Sequence, residues 1–510
     1  MKFLKLNWIL SLLFKQGYII ITTYTVDGAF NNMKQQDTEQ NISSSTIQPI
    51  QNRIYTCIDR AGIDTFDEQY GVSKSNIELT YRMYDALVDS NITEVEEEVS
   101  RVNLIFSPFS LQSVMGAILL GSGNNTANEI RQNIFPTNAQ NTNIHQGINS
   151  ILNRLTKHKS NAALVQANGV YVKKGHAISH PFLAGTQRCY HFTSFEVDFQ
   201  NESVGRTQIN QWIQNKTKDK IPSLIPEGSL RKHTTILLSS AIYFHGEWEQ
   251  RFDPKNTKME IFTTTRIIGN GTFRTAKLNI SMMTQTGMFS LCDLTQIDAR
   301  VLTMKYSENG LRMIIILPNH ENGVENVEDN LSVVFEHCLT EEALKSQMSV
   351  QVSLPKFKLK SYWELLEPLQ RLGVKDVFDE KAADLSGLHE KKDLHVDRII
   401  QVAIVDVDET GLNSQVSNTV AKVGEGNSSE IFNCNHPFMF MIAENSSNYF
   451  GPVIFIGQVF DPNDELQWME WDDDDSVKPV MPPHETGSGY RNLIKSYMVF
   501  IIEISFLFIS

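Results

Sequence analysis

Cysteine is scarce in this chain, and its placement supports no chemistry. Cys57, Cys189, Cys292, Cys338 and Cys434 are odd in number and far apart, with no C-x-x-C and no Cys/His ligand spacing. That excludes zinc-ribbon, haem-attachment and dithiol redox readings. A chain of 510 residues can build its own core, so a disulfide scaffold is not expected. Each cysteine reads as a small buried hydrophobe, with one bridged pair left open.

The signatures of catalysis are missing as well. There is no G-x-S-x-G, no H-E-x-x-H and no G-x-x-x-x-G-K-[ST]. The 13 histidines are scattered. His395 and His436 fall on strand-like segments and read as structural. Gly121-Ser-Gly-Asn-Asn-Thr126 looks like a phosphate loop, but it follows a helix and lacks the lysine, so it reads as a connector. The reading is of a protein that is not an enzyme, with no catalytic residue, no metal and no cofactor.

Basic charge is also in deficit, with 45 Lys and Arg against 59 Asp and Glu and a net charge of -14. A nucleic-acid partner is therefore excluded. The cluster Arg154, Lys157 and Lys159 is too sparse for a heparin site. Much of the acidic excess lies in one C-terminal run, Asp464, Glu465, Glu470 and Asp472 to Asp475, so the body is only mildly acidic.

Long hydrophobic runs are absent except in short form at the two ends. Lys2 and Lys5 precede the apolar stretch Trp8 to Phe14, and Tyr18 to Ile21 follows, so residues 1–28 read as a secretory signal. About ten N-x-[ST] sequons, among them Asn41, Asn91, Asn215, Asn270, Asn330 and Asn445, are compatible with a secreted glycoprotein. The tail Tyr497 to Ser510 is shorter than the roughly 20 residues a membrane helix needs. It reads as an irregular tail, with a GPI signal, made of small residues at 487–489, a polar spacer and that hydrophobic end, as the alternative.

Between these ends the chain divides into a polar extension over 29–74, one organised domain over 75–462, and an acidic linker and hydrophobic tail over 463–510. Ile77, Tyr81, Tyr84 and Leu87 recur at helical spacing. Ser107-Pro108 signals a second helix, with Ser107 as N-cap and Pro108 in the first turn. Strands are expected at Gly169–Val172, Thr235–Leu238 running into Ala241–Phe244, Met313–Leu317, Val350–Leu354, Phe438–Ile442 and Val453–Ile456. Tyr362 to Leu372 reads as a helix ending on Gly373. Helices come mainly first and strands mainly last, which suits an α+β domain with large sheets.

Five phrases in collinear order resemble the serpin family. They are Asn103-Leu-Ile-Phe-Ser-Pro-Phe-Ser110; Leu238-Ser-Ser-Ala-Ile-Tyr-Phe-His-Gly-Glu-Trp248 with Phe252-Asp-Pro254; Leu354-Pro-Lys-Phe357; Leu369 to Phe378; and Phe432-Asn-Cys-Asn-His-Pro-Phe438 with Phe455-Ile-Gly-Gln-Val459. The resemblance implies helices packed on three β-sheets, with an exposed reactive-centre loop that a serine proteinase cleaves. The freed strand then inserts into the central sheet and traps the enzyme. Secretion and a monomeric state go with this reading, and a non-inhibitory serpin serving as carrier or structural protein is the alternative.

The resemblance also places the working residues. The hinge is Gly411, Leu412, Asn413, Ser414, Gln415, Val416, Ser417 and Asn418, where the family's inhibitors usually carry a run of alanines. Leu412, Ser414, Val416 and Asn418 would share one face, none of them charged. Counting from Gly411 puts the reactive bond at Glu425-Gly426, and counting back from Pro437 puts it at Gly426-Asn427. Lys422 is the alternative and would suit a trypsin-like enzyme. Ser107, Ser110, Ser240, Trp248 and Gln401 form the expected sheet-opening region, with Ser240 and Gln401 replacing the family's usual Asn and His.

Overall fold

Helix α1 runs over Phe66–Val88, with Asp67 and Glu68 in its first turn, where the helix dipole favours negative charge. It begins nine residues ahead of Ser75, the expected start of organised sequence. The buried face in that first stretch is built from Gly71, Val72, Ser73, Ser75 and Asn76, so it carries almost no large apolar side chains for periodicity to detect. The computed structural model describes residues 66–88, 92–95, 98–136, 143–156, 164–268, 272–307, 310–391, 393–409, 429–444 and 450–464.

After the short strands β1 (Ile92–Val95), β2 (Glu98–Arg101) and β3 (Leu104–Phe106) comes helix α2, Pro108–Gly121. Ser107 caps it as expected, its hydroxyl accepting from the Ser110 amide, and Pro108 sits in the first turn. Every residue of α2 is buried, so this is a core helix with no solvent face. Next follow α3 (Asn124–Ile134), α4 (Ile144–Thr156), β4 (Leu164–Lys173), α5 (His180–Tyr190), β5 (Thr193–Val197) and α6 (Glu202–Lys216). The supposed connector after α2 is shorter than expected, because Asn124–Thr126 already form the first turn of α3.

Strand β6 covers Ile236–Phe244, β7 Lys258–Ile268, β8 Thr272–Leu294, β9 Ala299–Lys305 and β10 Leu311–Pro318. Short helices α7 (Val324–Asp329), α8 (Leu331–His337) and α9 (Glu341–Lys345) lead to β11 (Met348–Pro355) and β12 (Phe357–Glu364). Helix α10 is confined to Leu366–Arg371, so the expected helix over Tyr362–Leu372 is half strand. Tyr362 and Trp363 pair with Val402 and Gln401, and the Trp363 indole donates to the Ile105 carbonyl at 2.8 Å. Burial between two layers outweighs the helical spacing there. The last strands are β13 (Val396–Val407), β14 (Glu430–Asn433), β15 (Phe438–Glu444) and β16 (Val453–Val459).

The strands form three sheets, two of which run into one another through the long β8. One end of β8 pairs with β7 and β11, and the other end pairs with β9. The sheet β9–β10–β15–β16–β3 is antiparallel and almost wholly apolar. The third sheet has five strands in the order β12–β13–β6–β4–β5. It is covered on both faces: Leu238, Ile242 and Phe244 belong to the main core, while Leu237, Ala241, Tyr243, Val402 and Ile404 pack with Ile209 and Ile213 of α6.

Candidate functional site

The five-stranded sheet has an unusual middle. Strands β6 and β13 lie side by side and parallel, paired from Val396↔Ile236 to Val405↔Phe244. They are distant in sequence, and no other strand separates them. The chain leaves β13 at Val407, passes Asp408 and Glu409, and is described again from Ser429 into β14. A strand made by folding the chain back at the end of β13 would run antiparallel to both neighbours, with a ladder on either side. The line between β6 and β13 is therefore a seam.

At mid-seam the apolar pattern is interrupted by polar residues. Ser240 and Gln401 stand opposite one another in register, and both are fully buried. The Gln401 side-chain amide makes a reciprocal pair with the Ser107 backbone: Ser107 N–H donates to Oε1 at 2.8 Å, and Nε2 donates to the Ser107 carbonyl at 3.0 Å. Across the seam the Ser240 hydroxyl hydrogen-bonds the Ser110 hydroxyl, which also reaches Asn168 of β4 at 3.4 Å. Ser107 Oγ donates to the Ile454 carbonyl at 2.6 Å. On the β12 side, Ser361 Oγ accepts from the Ile105 amide at 3.1 Å. Each half of the sheet is thus tied separately to the segment 105–110 at the start of α2. Buried polar groups keep such partners because an unmade bond there is costly.

The seam is also held at both ends. At the start of the two strands the Asp397 carboxylate accepts from the Thr235 amide at 2.5 Å, the Thr235 hydroxyl at 2.8 Å and the Ile236 amide at 3.0 Å. At the far end Trp248 stacks on Tyr306, with centroids 4.4 Å apart, and its indole donates to the Asp408 carbonyl at 2.9 Å. Next to it Glu409 accepts from Lys356 at 2.8 Å and from the Thr257 hydroxyl at 2.8 Å. Burial pushes the Glu409 carboxyl up, but these bonds outweigh it and hold the group below its ordinary value.

This architecture has known counterparts. A family model described as Serpin (serine protease inhibitor) matches residues 74–462. The chain belongs to the serpin family. It is 31% identical to human Serpin B3 over 71% of this chain and 94% of that one. Human leukocyte elastase inhibitor is 32% identical, over 71% of this chain and 93% of its own length. Among solved structures, uncleaved ovalbumin superposes with a TM-score of 0.66 at 23% identity, covering 77% of this chain and all of that one. As a serpin the chain is not a catalyst, and the activity of its family is inhibition of serine proteases.

In this serpin four of the five expected sheet-opening residues meet at mid-seam, namely Ser107, Ser110, Ser240 and Gln401. Trp248 does not join them; it braces the end of β13 instead. Asn168, Ser361 and Asp397 also hydrogen-bond along the seam and are not picked out by the sequence, because a single polar residue in a strand gives no sign of which face it occupies. The hinge 411–418, Lys422, Glu425 and Gly426 lie outside the described residues. Arg154, from the sparse basic cluster, is taken up by a two-pronged pair with Glu444 at 2.6 and 2.7 Å; Lys157 and Lys159 lie outside the described residues.

The cysteines and two histidines need correction. Cys292 and Cys338 form a disulfide, and Cys189 is also bridged, so only Cys434 is a free buried thiol among the described residues. Pairing across 46 residues depends on the fold and leaves no spacing signature. Burial pushes the Cys434 thiol far up, which keeps it inert. His395 lies just before β13 and His436 in a bend before β15, so neither is on a strand. His436 Nε2 instead bonds the Pro318 carbonyl at 2.8 Å.

Proposed function

We propose that this serpin inhibits serine proteinases by presenting residues 410–428 as a substrate and then inserting the cleaved strand at the seam. The observation that carries the reading is the direct parallel pairing of β6 and β13 beside a chain that exits at Glu409. The proteinase serine oxygen attacks the scissile carbonyl, the peptide bond breaks, and the departing amine takes the proton. The acyl-bearing strand, hinged over Gly411 to Asn418, folds back antiparallel between β6 and β13. New ladder bonds and apolar burial drive this step, and they displace the mid-seam contacts of Gln401 and Ser240.

The bait bond is assigned to Glu425-Gly426, with Lys422 as the site a trypsin-like enzyme would choose. A sequon at Asn427 would obstruct a proteinase if it carried a glycan. The Cys292–Cys338 disulfide supports an oxidising compartment, in line with a leader over residues 1–28 and secretion. A second reading, a non-inhibitory carrier or structural serpin, is favoured by one feature of the chain. Leu412 and Val416 are bulky where a smooth hinge needs small residues, and slow insertion lets cleavage win.

The deciding experiment is thermal unfolding before and after nicking the loop with a broad-specificity proteinase, followed by a search for detergent-resistant complexes with trypsin-like and elastase-like enzymes. A large rise in Tm with a covalent complex supports inhibition. An unchanged Tm with clean turnover of the loop turns the assignment to the second reading. Leu412→Arg is expected to abolish complex formation while leaving the native Tm unchanged, because an unpaired charge cannot enter the sheet. Inhibition by that variant at the wild-type level would rule out insertion.

A further inference from the structure

Away from the seam, β7 and β8 pair as a ribbon with one face inward and one outward. Met259 stands opposite Ser281, Ile261 opposite Asn279 and Thr263 opposite Lys277. Side chains alternate between the two faces of a strand, so these six share one face. Their neighbours Phe262, Ile280 and Met282 are buried in the core. On the outer face Met259 is 65% exposed and Ile261 48%, an apolar strip on the surface. Apolar side chains in succession on an exposed strand favour association with other chains.

Across from that strip lies a sequon, Asn279-Ile280-Ser281. The Asn279 side chain is exposed, and its amide has no hydrogen-bond partner among the described residues. Its backbone carbonyl accepts from Asn463 Nδ2 at 3.1 Å. The Ser281 hydroxyl makes only a weak contact to the Met259 sulfur at 3.7 Å. The other described sequons are committed to the fold. Asn124 donates to Asp384 at 2.5 Å, and Asn330 donates to the Asn326 carbonyl at 2.8 Å. Asn201 caps α6, accepting from the Val204 amide at 3.3 Å. At Asn215 the amide is exposed, but the sequon hydroxyl of Thr217 is buried and donates to the Ile213 carbonyl at 2.8 Å.

We propose that Asn279 carries an N-linked glycan, and that the glycan covers the apolar strip of Met259 and Ile261. The proposal rests on the secretion reading, and its test separates the two. The sugar donor is a lipid-linked oligosaccharide diphosphate. The Asn279 amide nitrogen bonds to the anomeric carbon, and the bond from that carbon to the diphosphate oxygen breaks. The diphosphate leaves with the electron pair, and the amide gives up one proton. Transfer takes place on the entering chain, so the folded ribbon has only to leave the glycan room, which its outward face does. Facing residues of an antiparallel pair have Cβ atoms about 5 Å apart, so the first sugar lies beside Ile261. The C–H face of a sugar ring can rest on aliphatic side chains while its hydroxyls stay in water, which removes the strip from solvent.

The full-length chain is expressed with its own N-terminus in a eukaryotic secretory host, and glycopeptides are mapped for wild type, Asn279→Gln and Ser281→Ala. Wild type from the medium should carry sugar at Asn279, and each variant should lose one glycan by intact mass. Both variants should keep the native Tm and bind about twofold more of the hydrophobic dye bis-ANS, because the strip is bare. Adding Met259→Ser and Ile261→Ser to Ser281→Ala should return dye binding to the wild-type level. An empty Asn279 in secreted protein overturns the site. Dye binding that is unchanged in the variants, or not restored by the serines, overturns the covering role. A chain that stays in the cytosol fails the secretion reading instead, and the glycan falls with it.

Discussion

Two strand pairs in this molecule are alike in burial but differ in the side chains that face one another. Between β10 and β15 the facing residues are Met313 and Ile442, Ile314 and Met441, Ile315 and Phe440, Ile316 and Met439, all buried and apolar. Between β6 and β13 the central pairs are Ser239 and Ile400, then Ser240 and Gln401. Separating the first pair would break its backbone ladder and expose apolar surface, and those four facing pairs have no side-chain hydrogen bonds to exchange. The second is held by discrete hydrogen bonds that another strand could replace in kind. The lesson is that a dry apolar interface makes a permanent joint, whereas a buried but satisfied polar interface makes one that can be remade.

Mutations can test that contrast, beginning with the permanent joint. Phe440→Ala empties a fully buried site and should cost about 4 kcal/mol of stability, read by denaturant unfolding. Its rate of loop insertion should stay near wild type; a large acceleration would merge the two classes of joint. Cys338→Ser removes the tether between β8 and the end of α8 and should cost about 3 kcal/mol. Its effect should again fall on stability and not on insertion.

At the seam the balance should reverse. Gln401→Leu leaves the Ser107 amide without its buried partner, while the Ser107 carbonyl keeps the Leu111 amide, and should cost about 2 kcal/mol. The same change should speed spontaneous insertion, seen as heat-induced conversion to a form with a higher Tm. No change in conversion would deny Gln401 a role in opening. The smallest effect belongs to Glu409. Its carboxyl is depressed in the folded state, so its stabilisation is present above the unfolded glutamate value of about 4.3 and is lost as the pH falls through the depressed one. Glu409→Gln should therefore lower Tm at pH 7 by the equivalent of about 1 kcal/mol, and by progressively less as the pH falls below the ordinary glutamate value.

Much of the fold was legible because local rules and global packing agree. Ser107-Pro108 supplies both an N-cap and a first-turn proline, and the apolar run Met313–Leu317, closed by Pro318, has the length of a buried strand. Legibility failed where they diverge. Tyr362 and Trp363 carry a helical spacing but are held in a strand by β13 and by the Ile105 carbonyl. Phe66–Lys74 hides its helix because the buried face there is mostly small or polar.

By itself the sequence determined the class of the chain and the residue types on which the proposed loop reading rests: no charged residue among Leu412, Ser414, Val416 and Asn418, and a lysine at 422. These depend on residue type and near neighbours, which a linear reading preserves. Only the tertiary structure decided that Ser240 faces Gln401, that residues 105–110 tie both halves of the sheet, and that Cys292 meets Cys338. Those meetings join residues 46 to more than 290 positions apart, and only the packing of sheets and helices around one core brings them within reach of a bond.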